Sequence, residues 1–321
     1  MKLGVLTVAL GDQPFDKALD FLEEQGVEMI EVGCGGHPGT AHCDPEILLH
    51  DDEALKKFRN TVEKHHMEIS ALSVHCNTIH PNKEIAAKAD YDTHRAVLMA
   101  EKLGIHQINT FSGCAGDCSE SKYPNWVTCP WPDDFLAILD YQWNDVLIPY
   151  WTKKAELAKK YGVKKIAFEM HPGFCVYNPE TLLNLRAAVG PEIGANFDPS
   201  HLVWQGIEPA QAIKALKDCM WHFHAKDTRI DKANTAVNGV LDYKHYSDVM
   251  NRSWVFRTIG YGSGEDAWRE IVSALRTIDY DYVMSIEHED SLMSQREGLE
   301  KAVKTLKKVM TFSGKGVMTW A

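Results

Sequence analysis

Eight apolar, β-branched runs recur along this chain with helical segments between them, and that alternation restricts the fold more than any other feature. The runs are roughly Leu3–Ala9, Val27–Val32, Ile69–Val74, Ile105–Phe111, Lys165–Met170, Gly194–Asp198, Trp221–Lys226 and Tyr282–Glu287. Strands alternating with helices build a parallel sheet, and near-continuous apolarity suits strands covered on both faces. The intervening stretches carry helix signals. Asp16–Gln25 has apolar residues at helical spacing and stops at Gly26, while Asp52–His65 and Ala86–Leu103 behave likewise, the second stopping at Gly104. Trp151–Tyr161 stops at Gly162. Asn178-Pro179-Glu180 opens a helix with Asn as cap and Pro in the first turn, and Glu208-Pro209 does much the same before Ala210–Leu216.

Two connections are too long for plain loop-helix units. One runs from Ser112 to Tyr150 and holds Trp126, Trp131 and Trp143; the other runs from Thr228 to Ser263. Both follow strand ends, where a barrel of this kind builds its active-site walls. With no internal repeat and no dividing linker in 321 residues, the pattern predicts one α/β domain over 1–321. The expected fold is a single (β/α)8 TIM barrel with long loops after strands 4 and 7.

The totals narrow the partners. A formal charge of -11 repels a polyphosphate backbone, so nucleic acid is not an expected partner. No apolar run approaches the ~20 residues that span a bilayer, so no membrane partner is expected either. MKLGVLTVAL lacks the charged head and A-x-A site of a signal peptide and reads as the first strand. Eight cysteines at irregular spacing, none in C-x-x-C, suggest reduced thiols. A soluble, cytoplasmic protein is the expectation.

Charged groups avoid the tips of apolar strands unless something there pairs with them. Yet the last four runs end in such groups. IAFEMHPG places Glu169 and His171 on one face of a strand tip, since residues two apart point the same way. GANFDPSH ends in Asp198 with His201 just beyond; MWHFHAKD carries His222 and His224 on one face, then Lys226; SIEHED ends in Glu287 and Glu289. In a barrel those four tips lie side by side around one mouth. Three carboxylates and an imidazole, Glu169, Asp198, Glu287 and His224, repel and desolvate one another unless a divalent cation sits between them. Three oxygens and one nitrogen suit manganese or magnesium best, with cobalt, zinc and iron as alternatives. The competing reading is a buried ion-pair cluster completed by Lys226 and Arg229.

E-x-H-P-G, F-D-P-S-H, H-x-H-A-K-D and S-I-E-H-E in this order resemble the xylose isomerase-like barrels, the sugar isomerase/epimerase group that also holds inosose dehydratases, ketose 3-epimerases and endonuclease IV. The resemblance spans essentially the whole chain and is strongest from Lys165 to Asp290. It implies Glu169, Asp198, His224 and Glu287 as the metal ligands. It further implies that Glu169 and Glu287 move protons on opposite faces of the substrate. His201 and Arg229 would bind or polarise a substrate oxygen.

The chemistry of the residues leads to the same class. A divalent ion gripping a carbonyl and its neighbouring hydroxyl acidifies the carbon between them, and a carboxylate or imidazole within ~3 Å removes its proton. Reprotonation gives an epimer or an isomer through an enediolate; loss of a β-substituent gives an eliminated product. His171, His75 and His201 are the candidates for the second acid. His171 has the alternative of orienting Glu169, and His75 that of a helix cap or core residue. His222 is expected one layer deeper, and Lys226 holds either a ligand carboxylate or a substrate oxygen. The tryptophans after strand 4 either stack on a ligand or pack the rim. Gly260–Glu265 (GYGSGE) reads as a flexible turn.

E-M-H-P-G departs from the simple ketose epimerases, and with the Trp-bearing segment it resembles the large subunit of C-glycoside deglycosidases. That implies an alternative, a metal-dependent 3-keto-glycoside lyase working with a small partner subunit. A remoter alternative, an endonuclease IV-like phosphodiester hydrolase, needs a histidine at the tip of strand 4, where this chain reads INTFSG. A binding protein without activity is the third. The expected partners are a small-molecule sugar or glycoside and a second copy of the chain in a homo-oligomer, or the small subunit in a hetero-oligomer if the lyase reading holds.

Overall fold

The computed structural model describes residues 1–320. It holds ten strands: β1 Lys2–Leu6, β2 Met29–Gly33, β3 Glu68–Ser73, β4 Gln107–Thr110, β5 Lys165–Glu169, β6 Ile193–Phe197, β7 Met220–Ala225, β8 Asp227–Ile230, β9 Trp254–Arg257 and β10 Val283–Ile286. Eight of them close into a parallel barrel in the order β1-β2-β3-β4-β5-β6-β7-β10, with β1 hydrogen-bonded to both β2 and β10. The strands sit where the apolar runs lie, shifted by a residue or two at their ends. The first is shorter than its run because Thr7–Leu10 turns into a 3₁₀ helix.

The helices begin and end on the chemistry expected of them. Asn178 accepts from Thr181 N while Thr181 Oγ1 answers Asn178 N, a reciprocal cap for Pro179–Val189. Gly104 ends Lys83–Leu103 at φ 73°, a left-handed turn that other residues resist. Between the barrel strands and the helices around them runs one continuous apolar core, with Trp151 and Trp268 sealed within it. No helix is long and apolar enough to cross a membrane.

The two long connections differ from plain loops. The second half of Ser112–Tyr150 is helical, running from Asp134–Asp140 through a wide π-type stretch, Tyr141–Leu147, into Ile148–Lys160. Pro149 has no N–H to return to the preceding turn, and the wide turn falls where that bond is missing. In Thr228–Ser263, β8 and β9 pair antiparallel, Asp227 opposite Arg257 and Ile230 opposite Trp254, with a helix Lys232–Asn238 between them.

Gly260–Glu265 is not a flexible turn. Gly260 N, Gly262 N and Ser263 N donate to the Asp227 carboxylate at 2.9, 3.1 and 2.9 Å, and Trp268 Nε1 adds a fourth bond at 3.1 Å. A side chain at position 262 would meet Asp227 Oδ1 at 2.6 Å, so glycine is what lets the backbone close on the carboxylate.

Candidate metal centre

Strand register brings the sequence-predicted ligands to one level. Glu169 is the last residue of β5, beside Asn196 of β6. His224 of β7 lies opposite Ser285 of β10, and Glu287 follows two residues later, its N–H bonded to Ala225 O at 3.2 Å. Asp198 caps the short helix Pro199–Val203: its Oδ1 accepts from Ser200 N at 2.8 Å, which commits one carboxylate oxygen and leaves Oδ2 without a hydrogen bond. One ligand atom from each of Glu169, Asp198, His224 and Glu287 lies within 4.8 Å of the others. His224 Nδ1 is 3.0 Å from both Glu169 Oε2 and Glu287 Oε2.

The other ring nitrogen of His224 meets a residue that the sequence reading passed over. Glu31, fully buried on β2, accepts from His224 Nε2 at 2.8 Å. It also accepts from Asn109 Nδ2 at 2.7 Å, Ser285 Oγ at 2.8 Å and Ser73 Oγ. Such a carboxylate behind a ligating histidine fixes the ring and its tautomer. A lone carboxylate in the middle of the apolar run MIEVG was the available signal. His222 lies one layer deeper, as expected, bonded to Ser70 Oγ at 3.1 Å and Asn196 Oδ1 at 2.9 Å.

The electrostatics of the cluster are unevenly balanced. Burial pushes Glu169 up, but the nitrogens of His201, His224 and His75, each within 3.1 Å, hold it well below the usual carboxylate range. Burial likewise opposes ionisation of Glu287, and the Lys226 ammonium 3.0 Å away brings it down to about 2. Asp198 is the exception. Burial raises it, and neither Lys226 nor His201 fully offsets that. For His224, burial is overcome by the charges of Glu31 and Glu287, which raise it well above an ordinary histidine.

The remaining expected residues divide. His75 Nε2 is 3.1 Å from Glu169 and His201 Nε2 is 3.0 Å from it, yet neither nitrogen is aligned for a hydrogen bond. Both line the cluster. His171 does not orient Glu169; its Nδ1 bonds Pro172 O at 2.6 Å, and its ring lies 4.0 Å from that of His201 at the mouth. Burial and the neighbouring His201 take it down to about 3. Lys226 holds carboxylates, with Nζ 3.2 Å from Asp198, 3.0 Å from Glu287 and 2.9 Å from Glu289. Arg229 is exposed on β8 and has no ion-pair partner among the described residues, so the ion-pair cluster includes Lys226 but not Arg229. At the tip of β4 stands Phe111, packed edge-on against His75 and His171. Trp131 is exposed, Trp143 packs on the core, and Trp126 meets Tyr177 at the mouth.

Do these groups fit a cation? Ligand atoms ~2.0–2.2 Å from one ion must lie within ~4.5 Å of each other, close to the spread found here. Asp198 Oδ2 is buried and unbonded, and so is the nearby His201 Nε2. A carboxylate still pushed up by burial although Lys226 Nζ stands 3.2 Å from its Oδ2, and crowded by two glutamates, is what a bound cation would relieve. The four residues fit.

A parallel eight-stranded barrel with a polar cluster at the C-terminal ends of four adjacent strands defines the class. The chain belongs to the xylose isomerase-like TIM barrel family, whose model matches residues 19–309. It is 37% identical over 313 residues to the uncharacterized protein YfiH of Bacillus subtilis (strain 168), a match covering 97% of this chain and 100% of YfiH. Among solved structures, the IOLI protein with a zinc atom superposes with a TM-score of 0.65 at 19% identity, covering 96% of this chain and 98% of that one. A D-psicose 3-epimerase in the presence of D-fructose superposes with a TM-score of 0.62 at 15% identity, covering 97% and 98%. At these identities the two structures attest the shared fold.

Proposed function

We propose that the chain is a divalent-cation-dependent sugar isomerase or epimerase that moves a proton beside a carbonyl. One observation carries the reading: Glu169, Asp198, His224 and Glu287 bring their ligand atoms within 4.8 Å of one another at the barrel mouth. The zinc in the IOLI structure and the sugar in that of the epimerase support it. Held by these four residues, a divalent cation, manganese in our reading, supplies the charge that polarises a sugar carbonyl and its adjacent hydroxyl.

The chain's own groups do the rest. Glu169 and Glu287 enter from β5 and β10, three places apart in an eight-membered ring, and so reach a bound carbon from different sides. Both are held ionised, Glu287 at about 2, so each is free to accept a proton. One glutamate takes the proton to leave an enediolate; the other, once it has taken up a proton from solvent, returns it from its own side, and the first gives its proton back to solvent. His201 and His75, with unbonded nitrogens beside Glu169, hold substrate oxygens. Lys226 positions Glu287, and His171 screens the reacting carbon from the mouth. Arg229 is the outer substrate contact in this reading. Cytoplasmic residence and pairing into a homo-oligomer belong to the same reading.

The test is solvent exchange. The manganese-loaded protein in heavy water should place deuterium beside the carbonyl of a ketohexose, read by proton NMR on a panel that begins with D-fructose. No incorporation into any free or 3-keto sugar would sink the reading.

A further inference from the structure

Cys114, in the loop after β4, and Cys175, in the loop after β5, are both free and buried, and the fold makes them neighbours. Cys175 N donates to Gly113 O at 2.9 Å, and Val176 N donates to Ser112 Oγ at 3.0 Å. The first of these bonds alone holds the two cysteine Cα atoms within about 7 Å of each other, close to the ~4.4–6.8 Å that a disulfide spans. The side chains meet at one peptide unit. Cys114 Sγ lies 3.6 Å from Ala115 O, and the Cys175 thiol meets the Ala115 backbone.

Folding fixes this arrangement. Asn77 brackets Cys114, accepting from its N–H at 3.0 Å and donating to its carbonyl at 2.9 Å. The buried Gln142 amide donates to the carbonyls of Ala115, Gly116 and Asn125 at 2.9, 3.2 and 2.6 Å. The turn that carries Cys175 is tied to the mouth. Phe174 stacks on Phe111 at 4.3 Å, and His171 N donates to Val176 O at 3.2 Å.

The two sulfurs are unlike. The Cys175 thiol outweighs burial and draws Cys114 below the ordinary thiol range, with help from the Asn125 backbone. Cys175 is driven well above that range, by Cys114 first and then by burial. A more acidic thiol beside a protonated one is how an attacking and a resolving cysteine are arranged. Access comes from outside the metal centre. Cys175 lines a cavity of about 430 Å³ together with Trp126, Gln142, Trp143 and Tyr177.

We propose that Cys114 and Cys175 form an oxidation site, a dithiol that hydroperoxides close into a disulfide tying the loops after β4 and β5 together. The Cys114 thiolate attacks one peroxide oxygen; the O–O bond breaks, leaving Cys114 as a sulfenic acid and releasing hydroxide or alkoxide. The Cys175 sulfur then attacks Cys114 Sγ. An S–S bond forms, the S–O bond breaks, and the departing hydroxide takes the Cys175 proton as water. Two electrons pass from the two sulfurs to the peroxide.

The exposed Cys118 and Cys129 are first replaced by serine, so that they cannot cross-link. About a tenfold excess of hydrogen peroxide should then remove two hydrogens from the folded protein, peptide mapping should join Cys114 to Cys175, and dithiothreitol should restore both thiols. In Cys175→Ser the resolving sulfur is gone, and dimedone should label Cys114 at least about tenfold more than in the parent. Oxidation should slow amide hydrogen exchange at Cys175 and Val176 by about tenfold or more, because their bonds open only when the two loops part. Peroxide that leaves both thiols free, or joins them only after unfolding in urea, overturns the proposal. So does a bond that leaves those two amides exchanging at their former rate, since the loops are then not tied. Should Cys175→Ser fail to fold, mapping and exchange in the parent decide the matter.

Discussion

His224 has two sides, and they are built in opposite ways. Its Nε2 faces a floor centred on Glu31, whose oxygens take bonds from His224, Asn109, Ser285 and Ser73. Its Nδ1 faces the mouth, where Asp198 Oδ2, His201 Nε2 and His75 Nε2 are buried with no hydrogen bond. Both carboxylates are fully buried. Yet the partners of Glu31, His224 foremost, overcome its burial and hold it far below the usual range, whereas Asp198 is driven up. The floor is complete as the chain folds; the mouth is complete only with a ligand. A site needs both, a fixed ring behind and an unsatisfied face in front.

The largest test of that division lies on the unsatisfied side. Glu287→Gln keeps shape but removes a base, so deuterium exchange into the substrate should fall ~10³-fold while the fold persists. Glu169→Gln should match it. Full exchange in either variant would falsify the two-glutamate assignment.

Next comes a pair of isosteric changes that should behave unequally. Glu31→Gln leaves His224 and its donors facing an amide, and breaking such a buried charged network costs ~3 kcal/mol or more in urea denaturation. Asp198→Asn removes a carboxylate that its surroundings do not favour, so the metal-free protein should change by less than ~1 kcal/mol, or gain. Manganese affinity should move the other way round. Asp198→Asn should lose more than the ~10–100-fold expected for a residue behind a ligand, and Glu31→Gln should stay inside that range. If the two variants exchange places in the stability ranking, floor and mouth are not the distinct regions described.

The mouth was far more legible in sequence than the floor. Glu169, Asp198, His224 and Glu287 each stand at or near the end of an apolar run, where a charge breaks the pattern and barrel topology says the ends converge. Glu31 sits inside its run, and its meaning depends on groups 42, 78, 193 and 254 residues away. No local pattern encodes those distances. β8 escaped notice for another reason: only Lys226 separates the end of β7 from DTRI, so two strands read as one run and a loop. The glycines of GYGSGE signalled a turn correctly, but their order comes from Asp227, which no nearby residue announces.

A third carboxylate offers the smallest and most local comparison. Asp242, in the wall carrying Tyr246 and Trp254, accepts from Lys244 N at 2.9 Å and Ser253 N at 2.7 Å, with Lys244 Nζ 2.9 Å away. Burial resists its ionisation, but these donors bring it to about 2. Its folded value thus lies below the ~3.9 of an unfolded aspartate. The stabilisation is therefore full above about pH 5 and is lost as pH falls toward 2. Corrected hydrogen-exchange protection of the β8–β9 amides should fall through that window while the barrel strands keep theirs. Asp242→Asn should lower protection at neutral pH by an amount worth ~1 kcal/mol and flatten the acid response. If the acid response survives in Asp242→Asn, the wall is held by something other than this carboxylate, and its likeness to the Glu31 floor fails.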